Sequence, residues 1–413
     1  MRVIHTSDWH LGRTLESRSR LPEQEQFLEQ LCDIVSSESI DMVLVAGDVF
    51  DSPNPPAAAE ELYYDALKRL SAGGFRAVVV IAGNHDSPDR IRAANPLAAR
   101  HGISLVGYPG EDLGPGGPTG GARRVRTGPG WLEVYCPKCD EVAFLATLAY
   151  PSEARLNEVL GESLGDEERQ TAYSDRVSRL LAEAMVAAGD GTVRFALGHL
   201  FMAGGRESES ERQIQLGGAL AVQPQALASG VHYVALGHLH RPQAVGACPV
   251  PCRYSGSPLA YSFSEADHQK EVVLVDIPRG GPVTVRPIPL TCGKALKKWT
   301  PKTYEEALQW CGDPRNRDFW VDLELTRDQQ LSASEISALR SAHPGLVNIR
   351  WRGPAQMTSE EGKRISEMPL IDRFRLFCQR HGEDPSQELL DLFLELVNED
   401  DGREESVDET PQA

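Results

Sequence analysis

The sequence predicts an α/β fold of layered sheets and helices, and two observations support this prediction. Short runs rich in Val, Ile, Leu and Ala recur along the chain, at residues 2–4, 42–46, 77–82, 194–197 and 233–236. Each run is typical of a buried strand, although the first is too short to be called apolar. Stretches with apolar residues near a 3.6-residue period lie between them, at residues 22–37, 57–71 and 170–188. This alternation of strands and helices predicts a layered α/β sandwich.

A short polar string follows each of the five runs. The strings are Ser7-Asp8-Trp9-His10, Gly47-Asp48-Val49-Phe50-Asp51, Gly83-Asn84-His85-Asp86, Gly198-His199 and Gly237-His238-Leu239-His240. Because ligands gather beyond the carboxyl ends of the strands in an open α/β sheet, we expect the strings to converge at one edge. Each string alone is typical of a turn or a loop histidine, so the prediction of a site depends on all five together.

The strings supply seven side chains of the kinds that bind metal ions. They are Asp8, His10, Asp48, Asn84, His199, His238 and His240. This mixture of carboxylate, amide oxygen and imidazole suits Mn²⁺, Fe or Zn²⁺ rather than a metal bound by thiolates. Seven ligands are too many for one ion, whereas two ions about 3.5 to 4 Å apart that share one carboxylate fit the number. The pattern therefore predicts a two-metal hydrolase with Asp48 as the bridging ligand.

The order of the strings resembles that of the calcineurin-like metallophosphoesterases, and four longer segments resemble the bacterial SbcD nuclease subunits. These segments are residues 6–12, 47–51, 82–87 and 253–259. The resemblance implies a metallophosphoesterase sandwich of two sheets flanked by helices, with the nucleophilic water between two Mn²⁺ ions. It also implies that one ion is held by Asp8, His10, Asp48 and His240, and the other by Asp48, Asn84, His199 and His238.

In this arrangement His85 binds no metal. An imidazole beside a metal ligand on the phosphate side is suited to protonating the departing oxygen or to steadying the scissile phosphate. Asp51 is expected to orient His85, as the second Asp of Gly-Asp-x-x-Asp does in related phosphatases. The alternative for Asp51 is a cap or turn before Ser52-Pro53.

The resemblance implies a DNA nuclease: an ATP-dependent 3′–5′ double-strand exonuclease and single-strand or hairpin endonuclease in end processing, replication and recombination. ATP would act only through an SbcC-type ATPase, in a heterotetramer with two copies of each protein and a homodimer through the nuclease domain. Two alternatives use the same fold: a phosphoprotein or cyclic-nucleotide phosphoesterase, and a scaffold that has lost catalysis. The C-terminal third argues against the first alternative, and the complete ligand set argues against the second.

Composition and charge limit where the protein acts. The chain has 413 residues, and neither a signal peptide nor an apolar stretch near the ~18 residues of a membrane span is evident, so we expect a cytoplasmic protein of two or three domains. The net charge is −18, but residues 383–413 contain twelve acidic residues against Arg403 as the single basic one. DNA would then be bound by metals, by a partner or by local arginines. The candidate arginines are Arg13, Arg18, Arg20, Arg90 and Arg92, although ordinary solvated surface charge is the favoured alternative for them.

The eight cysteines are expected to be free thiols, since an intracellular protein seldom forms disulfides. Two pairs have metal-type spacing, and together they would make a four-thiolate zinc site of Cys136, Cys139, Cys248 and Cys252. The second pair has an untypical spacing, so the sequence favours free thiols in hairpin turns over structural zinc.

We expect four parts along the chain: a nuclease domain at 1–275, a cap domain at 276–352, a linker and helical region at 353–398, and an acidic disordered tail at 399–413. Turn residues at 278–282 suggest the first boundary. The cap is predicted to be α+β, with strands at 319–325 and 346–351 around a helix at 334–341. Two amphipathic stretches at 370–378 and 389–397 predict a surface for SbcC, or alternatively for the chain's own cap.

Overall fold

The computed structural model describes residues 1–157, 166–189, 191–211, 221–227, 230–326, 330–352, 370–380, 385–386, 389–390 and 393. Within these residues the strands are β1 (Arg2–Thr6), β2 (Thr14–Leu15), β3 (Arg18–Ser19), β4 (Met42–Ala46), β5 (Ala77–Ile81), β6 (Ile103–Val106), β7 (Arg123–Gly128), β8 (Trp131–Cys136), β9 (Glu141–Leu148), β10 (Val193–His199), β11 (Tyr233–Gly237), β12 (Gln243–Ala244), β13 (Cys252–Tyr254), β14 (Glu271–Asp276), β15 (Thr284–Pro289), β16 (Ala295–Trp299), β17 (Phe319–Thr326) and β18 (Leu346–Arg352). The helices are α1 (Leu21–Ser37), α2 (Ala57–Leu70), α3 (Pro88–Ala93), α4 (Asn95–Ala98), α5 (Glu153–Leu156), α6 (Asp166–Met185), α7 (Tyr304–Gly312), α8 (Ala333–Ala342) and α9 (Leu370–Arg380).

Two mixed sheets form the first and larger part of the molecule. One has six strands in the order β15-β14-β1-β4-β5-β6, in which β1, β4, β5 and β6 run parallel. The other has seven strands in the order β12-β13-β11-β10-β9-β8-β7, in which β9, β10, β11 and β13 run parallel. The layered α/β architecture predicted from the sequence is therefore confirmed, and so is each of the predicted strands and helices that flank the strings.

Helices cover these sheets through apolar side chains at helical spacing. Phe27, Leu31 and Val35 of α1 are buried in one core with the strands of the first sheet. Tyr173 and Val177 of α6 pack in a second core against the other sheet. Burying each such large side chain contributes about 1.5–3 kcal/mol, so these faces hold the helices on the sheets.

The five strings lie at one end of this sandwich, but they come from two sheets and not from the edge of one open sheet. Strands β1, β4 and β5 carry three strings, and β10 and β11 carry two. The two sheets contact each other at this end: Nδ1 of His199 donates to the carbonyl oxygen of Ala46, 2.9 Å away. Convergence therefore results from sheet-on-sheet packing, which the pattern of apolar runs does not reveal.

The predicted boundary between the first two parts at residue 276 is wrong in position, because residues 278–282 form a hairpin turn within the first sheet. Strand β15 pairs antiparallel with β14 from Thr284 to Pro289. The sheet thus continues to residue 289. We now propose that the division lies between residues 290 and 294.

The small domain that follows is a parallel βαβαβ unit with its own core. Its sheet has the order β16-β17-β18, and α7 and α8 connect the strands. The buried residues of its core are Ala307, Cys311, Val321, Leu323, Leu325, Leu331, Leu339 and Leu346. The predicted strands and helix are confirmed, but the α+β class is corrected to α/β, because β16, β17 and β18 are all parallel. Neither β16 nor α7 was predicted; the sequence of β16, Ala-Leu-Lys-Lys-Trp, is too short and charged to be recognised as a strand.

A polar hub joins the small domain to the first. The carboxylate of Glu23, in the first turn of α1, accepts hydrogen bonds from the indole of Trp320 at 3.1 Å and from the backbone N–H of Lys294 at 2.6 Å. Its other partner is the guanidinium of Arg20. Arg20 is completely buried here, so the prediction that it contacts DNA is wrong.

The first predicted C-terminal helix is present as α9, in which Phe377 is 58% exposed. The ring of Phe374 stacks on that of Phe393 with centroids 4.0 Å apart. The predicted linker at 353–369, most of the second helix and the acidic tail lie outside the described residues. None of the helices in the described ranges is long and apolar enough to cross a membrane.

Candidate metal centre

Ligand-type side chains from all five strings lie together at the carboxyl ends of the strands. Their ligand atoms are within 4.8 Å of one another in three groups: Asp8, His10 and His240; His10, Asp51 and His85; and Asp48, His199 and His238. Asn84 joins the third group, since its Oδ1 lies 2.9 Å from Nε2 of His199 and 3.1 Å from Nδ1 of His238. The structure thus brings together all nine residues singled out from the sequence.

Glycines in the strings allow this convergence. A Cβ on Gly237 would lie 1.9 Å from the carbonyl oxygen of Ala46, and a Cβ on Gly83 would lie 2.1 Å from Oδ1 of Asp48. Real Cβ atoms essentially never approach other atoms closer than 3.0 Å. A side chain at Gly237 would therefore push β4 away from the fifth string, and one at Gly83 would displace Asp48 in the second string.

Four ligand-type residues have a positive φ: Asp8 at 54°, His10 at 45°, Asp48 at 50° and His238 at 109°. This backbone region is uncommon for residues other than glycine and costs on the order of 1–3 kcal/mol for each. Hydrogen bonds between strings offset this cost: the N–H of Asp8 donates to the carbonyl of Gly47, and the N–H of His10 to that of Asp48, both at 3.0 Å. Such strain at converging polar side chains indicates a functional site.

Asp48 lies between the two sets of histidines. Its Oδ2 is 3.6 Å from Nε2 of His10 and 3.4 Å from Nε2 of His199. Its Oδ1 accepts a hydrogen bond from the backbone N–H of His85 at 2.9 Å. One carboxylate oxygen therefore faces both groups of ligands, which is the position that a bridging ligand requires.

The atoms that face one another in this centre are mostly acceptors, as expected of a cation site. Because Nδ1 of His199 donates to a carbonyl, the neutral ring has a lone pair at Nε2, and this atom faces Oδ1 of Asn84 and Oδ2 of Asp48. Likewise, Nε2 of His10 and Nε2 of His240 are only 3.0 Å apart. Such acceptor pairs repel unless a proton or a metal ion lies between them.

The protonation behaviour of the same side chains agrees with this excess of acceptors. Burial raises the pKa of Asp8 to about 8. Burial lowers the pKa of His199, but the adjacent Asp48 more than reverses this and raises it to about 9. Burial alone would raise the pKa of Asp48, yet His199, His85 and His10 hold it well below its usual range. Without a metal ion, protons on Asp8 and His199 therefore supply the positive charge that bound cations would supply. The residues present thus fit a pair of divalent cations.

His85 is oriented by the backbone of Asp51 and not by its carboxylate, so that part of the prediction for Asp51 is corrected. Nδ1 of His85 donates to the carbonyl oxygen of Asp51 at 2.8 Å. The carboxylate of Asp51 instead lies 3.3 Å from Nδ1 of His10 and 3.5 Å from the guanidinium of Arg13. Asp51 therefore acts on the His10 ligand, while its main chain holds His85.

Asp86 ends the third string, and the sequence pattern assigned it no role. Its buried carboxylate accepts hydrogen bonds from the backbone N–H groups of Val49 at 3.1 Å, Phe50 at 2.9 Å and Gly83 at 2.8 Å. It thereby ties the second string to the third and fixes Asp48 relative to the third string. In the sequence, Asp86 could be noticed only as an ionisable residue of the third string that is not one of the seven ligand candidates.

Most of the candidate arginines are engaged within the protein. Arg90 pairs with Glu60 at 2.9 Å, and Arg92 with Glu111 at 3.4 Å. Arg18 reaches the small domain, where it donates to the carbonyl of residue 346 at 3.4 Å. The guanidinium groups of Arg18, Arg90 and Arg92 thus bind protein groups that are not metal ligands.

Arg13 is the candidate arginine beside the centre. Its guanidinium lies near the carboxylate of Asp51, donates to the carbonyl of Ser210 at 2.7 Å and covers the ring of Tyr261. It is therefore the one of the five that the structure places against the ligand-bearing strings.

The two cysteine pairs are far apart. Cys136 ends β8 and Cys252 begins β13, and three strands separate β8 from β13 in the same sheet. With about 4.8 Å between neighbouring strands, their separation is roughly 19 Å. The four-thiolate site weighed from the sequence is therefore not formed, and all eight cysteines are free.

Comparisons with known sequences give the same assignment as the strings. A family model described as calcineurin-like phosphoesterase matches residues 1–242. The chain is 42% identical to the SbcD component of the SbcCD nuclease of Bacillus subtilis, over 98% of this chain and 100% of that protein. It is 32% identical to the corresponding SbcD component of Escherichia coli, over 96% and 98%. The crystal structure of a dimetal phosphatase from Danio rerio aligns at 12% identity and a TM-score of 0.36, over 70% of this chain and 95% of that one.

Proposed function

The chain belongs to the calcineurin-like phosphoesterases and, within them, to the SbcD family, and from this we propose that it is the nuclease subunit of an SbcCD-type complex. It hydrolyses DNA phosphodiesters as an ATP-dependent 3′–5′ double-strand exonuclease and a single-strand or hairpin endonuclease, in DNA end processing, replication and recombination. The observation that carries this proposal is the 42% identity over the full length of a named nuclease component, combined with a complete set of ligands.

In the proposed site, Asp8, His10, Asp48 and His240 would hold one cation, and Asp48, Asn84, His199 and His238 would hold the other. When bound, two divalent cations would supply a lower pKa for an attacking water and neutralisation of charge on the phosphate. We assign Mn²⁺ from the membership in the SbcD family, since carboxylate, amide and imidazole ligands without thiolate suit Mn²⁺, Fe and Zn²⁺ alike.

His85 performs the proton chemistry that remains. Because its Nδ1–H is held by the carbonyl of Asp51, Nε2 is the ring atom that exchanges a proton. Its ring lies edge-on to that of the His10 ligand, with centroids 4.8 Å apart, so it is beside the metal ligands and outside both proposed ligand sets. We propose that Nε2 protonates the departing oxygen or steadies the scissile phosphate.

We expect the purified chain to hydrolyse DNA when Mn²⁺ is supplied and to lose this activity in EDTA. The substrates are a blunt duplex, a hairpin and a circular single strand, each tested with and without the SbcC-type ATPase and ATP. Cleavage of the single-stranded forms should need Mn²⁺ alone, and processing of the duplex should need the ATPase. Hydrolysis of phosphopeptides without hydrolysis of any DNA would contradict the proposal and favour a phosphoprotein phosphatase.

The C-terminal third is proposed to bind the SbcC-type ATPase in a heterotetramer of two copies of each protein, with the nuclease domains forming the homodimer. The exposed Phe377 on α9 supports a protein-binding surface there, as does the exposed Leu389. We further propose that the complex acts in the cytoplasm, in agreement with eight free cysteines.

Deletion of residues 366–413 is expected to abolish co-purification with the ATPase and to leave the Mn²⁺-dependent cleavage of single strands intact. The reason is that both sheets and the metal centre are built from residues before 290. Pull-down with a tagged ATPase measures the first effect. Phe377→Asp tests the same surface in the full chain, with Val186→Asp, at an exposed position just after α6, as its control. A truncated chain that still binds the ATPase would place the partner surface elsewhere.

A further inference from the structure

A buried polar cluster lies beside His240, next to the ligand set. It consists of Ser210, Glu265 and Lys270, which are 4%, 0% and 7% exposed. Burying a carboxylate and an ammonium group is costly unless both are paired and hydrogen-bonded, and Glu265 and Lys270 are paired with each other. None of its members is a ligand in the proposed two-metal site.

These side chains form a continuous chain of hydrogen bonds to the ring of His240. Nδ1 of His240 is bonded to Oγ of Ser210. The same Oγ lies 2.5 Å from Oε1 of Glu265. Nζ of Lys270 donates to Oε2 of Glu265 at 2.5 Å and to the backbone carbonyl of His240 at 2.9 Å.

The direction of each hydrogen bond follows from the carboxylate. Beside Lys270, Glu265 is ionised and accepts hydrogen bonds only, so the hydroxyl of Ser210 donates to it. The oxygen of Ser210 must then accept from Nδ1–H of His240. A neutral imidazole carries one proton, so Nε2 has a lone pair, and Nε2 is the atom that faces His10 at 3.0 Å.

The backbone of His240 is fixed at both of its polar groups. Oε1 of Glu211 accepts from its N–H at 2.7 Å, and Lys270 donates to its carbonyl. Oε2 of Glu211 is held in turn by the hydroxyl of Ser208 at 2.7 Å. His199 differs, because a backbone carbonyl and not a side chain sets its tautomer.

We propose that Ser210, Glu265 and Lys270 are positioning residues that hold His240 in the tautomer able to bind metal. This inference rests on the two-metal site of the proposed function. It predicts a selective effect on metal affinity. Loss of the relay formed by these three residues weakens binding of the cation at His240 but not of the cation at His199, because the tautomer of His199 is set independently.

The first test is a calorimetric Mn²⁺ titration of the metal-free full-length chain. When a histidine ligand loses the hydrogen-bond partner of its other ring nitrogen, the metal affinity typically falls roughly 10- to 100-fold. Ser210→Ala should weaken one of two Mn²⁺ sites by that factor, and Ser210→Thr, which keeps the hydroxyl, should restore it. Ser264→Ala is the matched control, because Oγ of Ser264 accepts a hydrogen bond from the N–H of Glu209, next to Ser210, and is not part of the relay.

The second test does not depend on metal binding. Nitrogen-15 NMR of the histidine rings in the metal-free protein, with His240 identified by its loss in His240→Asn, reports which ring nitrogen carries the proton. The relay requires the Nδ1–H form in the wild type and a mixture of forms in Ser210→Ala.

Each outcome is decisive for one of the two proposals. A wild-type His240 protonated at Nε2 alone, or a Ser210→Ala variant that keeps both Mn²⁺ affinities within about twofold, overturns the relay, since the expected loss is roughly 10- to 100-fold. A wild-type chain that binds no Mn²⁺ overturns the two-metal function, while the tautomer still tests the relay.

Discussion

Replacing His85 with alanine is expected to lower the rate of DNA hydrolysis by about 10²- to 10⁴-fold while leaving two Mn²⁺ ions bound, since a general acid or base typically contributes that factor. His85 uses its Nδ1 on the carbonyl of Asp51 and belongs to no ligand group apart from the one that includes Asp51. The backbone N–H of residue 85, which the substitution retains, is the group that bonds Asp48. The side chain is therefore removed without disturbing the bridge.

The measurement pairs kcat on a single-stranded substrate with metal content by mass spectrometry. His101→Ala is the control, since His101 is an exposed histidine that precedes β6 and takes no part in the site. A variant that loses metal together with activity would make His85 a ligand, and a fully active variant would leave it without a catalytic role.

The strands and helices were predictable because buried positions are occupied by apolar residues at the spacing of a strand or a helix. Every residue of β4, β5 and β11 is buried, and each of these strands reads as an uninterrupted apolar run. The ligands were predictable for a related reason, since polar residues that directly follow buried strands must lie at a sheet end.

What could not be predicted depends on contacts between segments distant in sequence. The pairing of β14 with β15 is invisible in a turn-rich string such as 278–282, which reads equally as a linker. The carboxylate of Asp51 lies 3.3 Å from Nδ1 of His10, while its backbone carbonyl and not its carboxylate accepts from His85. Spacing along the chain carries no information on that choice.

The residues that support the ligands were missed for the same reason. Glu265 lies 25 positions beyond His240 in the sequence, yet it is linked to that ring through Ser210. Asp86 belongs to the third string, but its three backbone donors belong to two different strings. The sequence shows only that these residues are ionisable, and their burial, which marks them as candidates for a role at the site, is visible in the structure alone.

Replacing Asp48 is expected to have the largest effect in the protein, because its Oδ2 faces both groups of ligands. Asp48→Ala should lose high-affinity binding of both ions and at least about 10³ of the hydrolysis rate, since metal stabilisation of phosphate charge supplies several kcal/mol and each 1.36 kcal/mol is tenfold. It also leaves the N–H of His85 without its acceptor. The alanine variant thus loses both the charge that would bind the two cations and the hydrogen-bond acceptor that holds the backbone of His85.

Asp48→Asn separates the two losses. Asparagine keeps the volume of the side chain and an oxygen for the N–H of His85, but removes the charge that two cations share. We expect it to unfold cooperatively in EDTA near the wild-type temperature, to bind fewer than two Mn²⁺ ions and to remain almost as inactive as Asp48→Ala. Calorimetric titration with Mn²⁺, thermal melting in EDTA and hydrolysis rates measure these effects. Retention of two tightly bound ions in Asp48→Asn would mean that the bridge is not needed for either ion, and the centre would then be two independent sites.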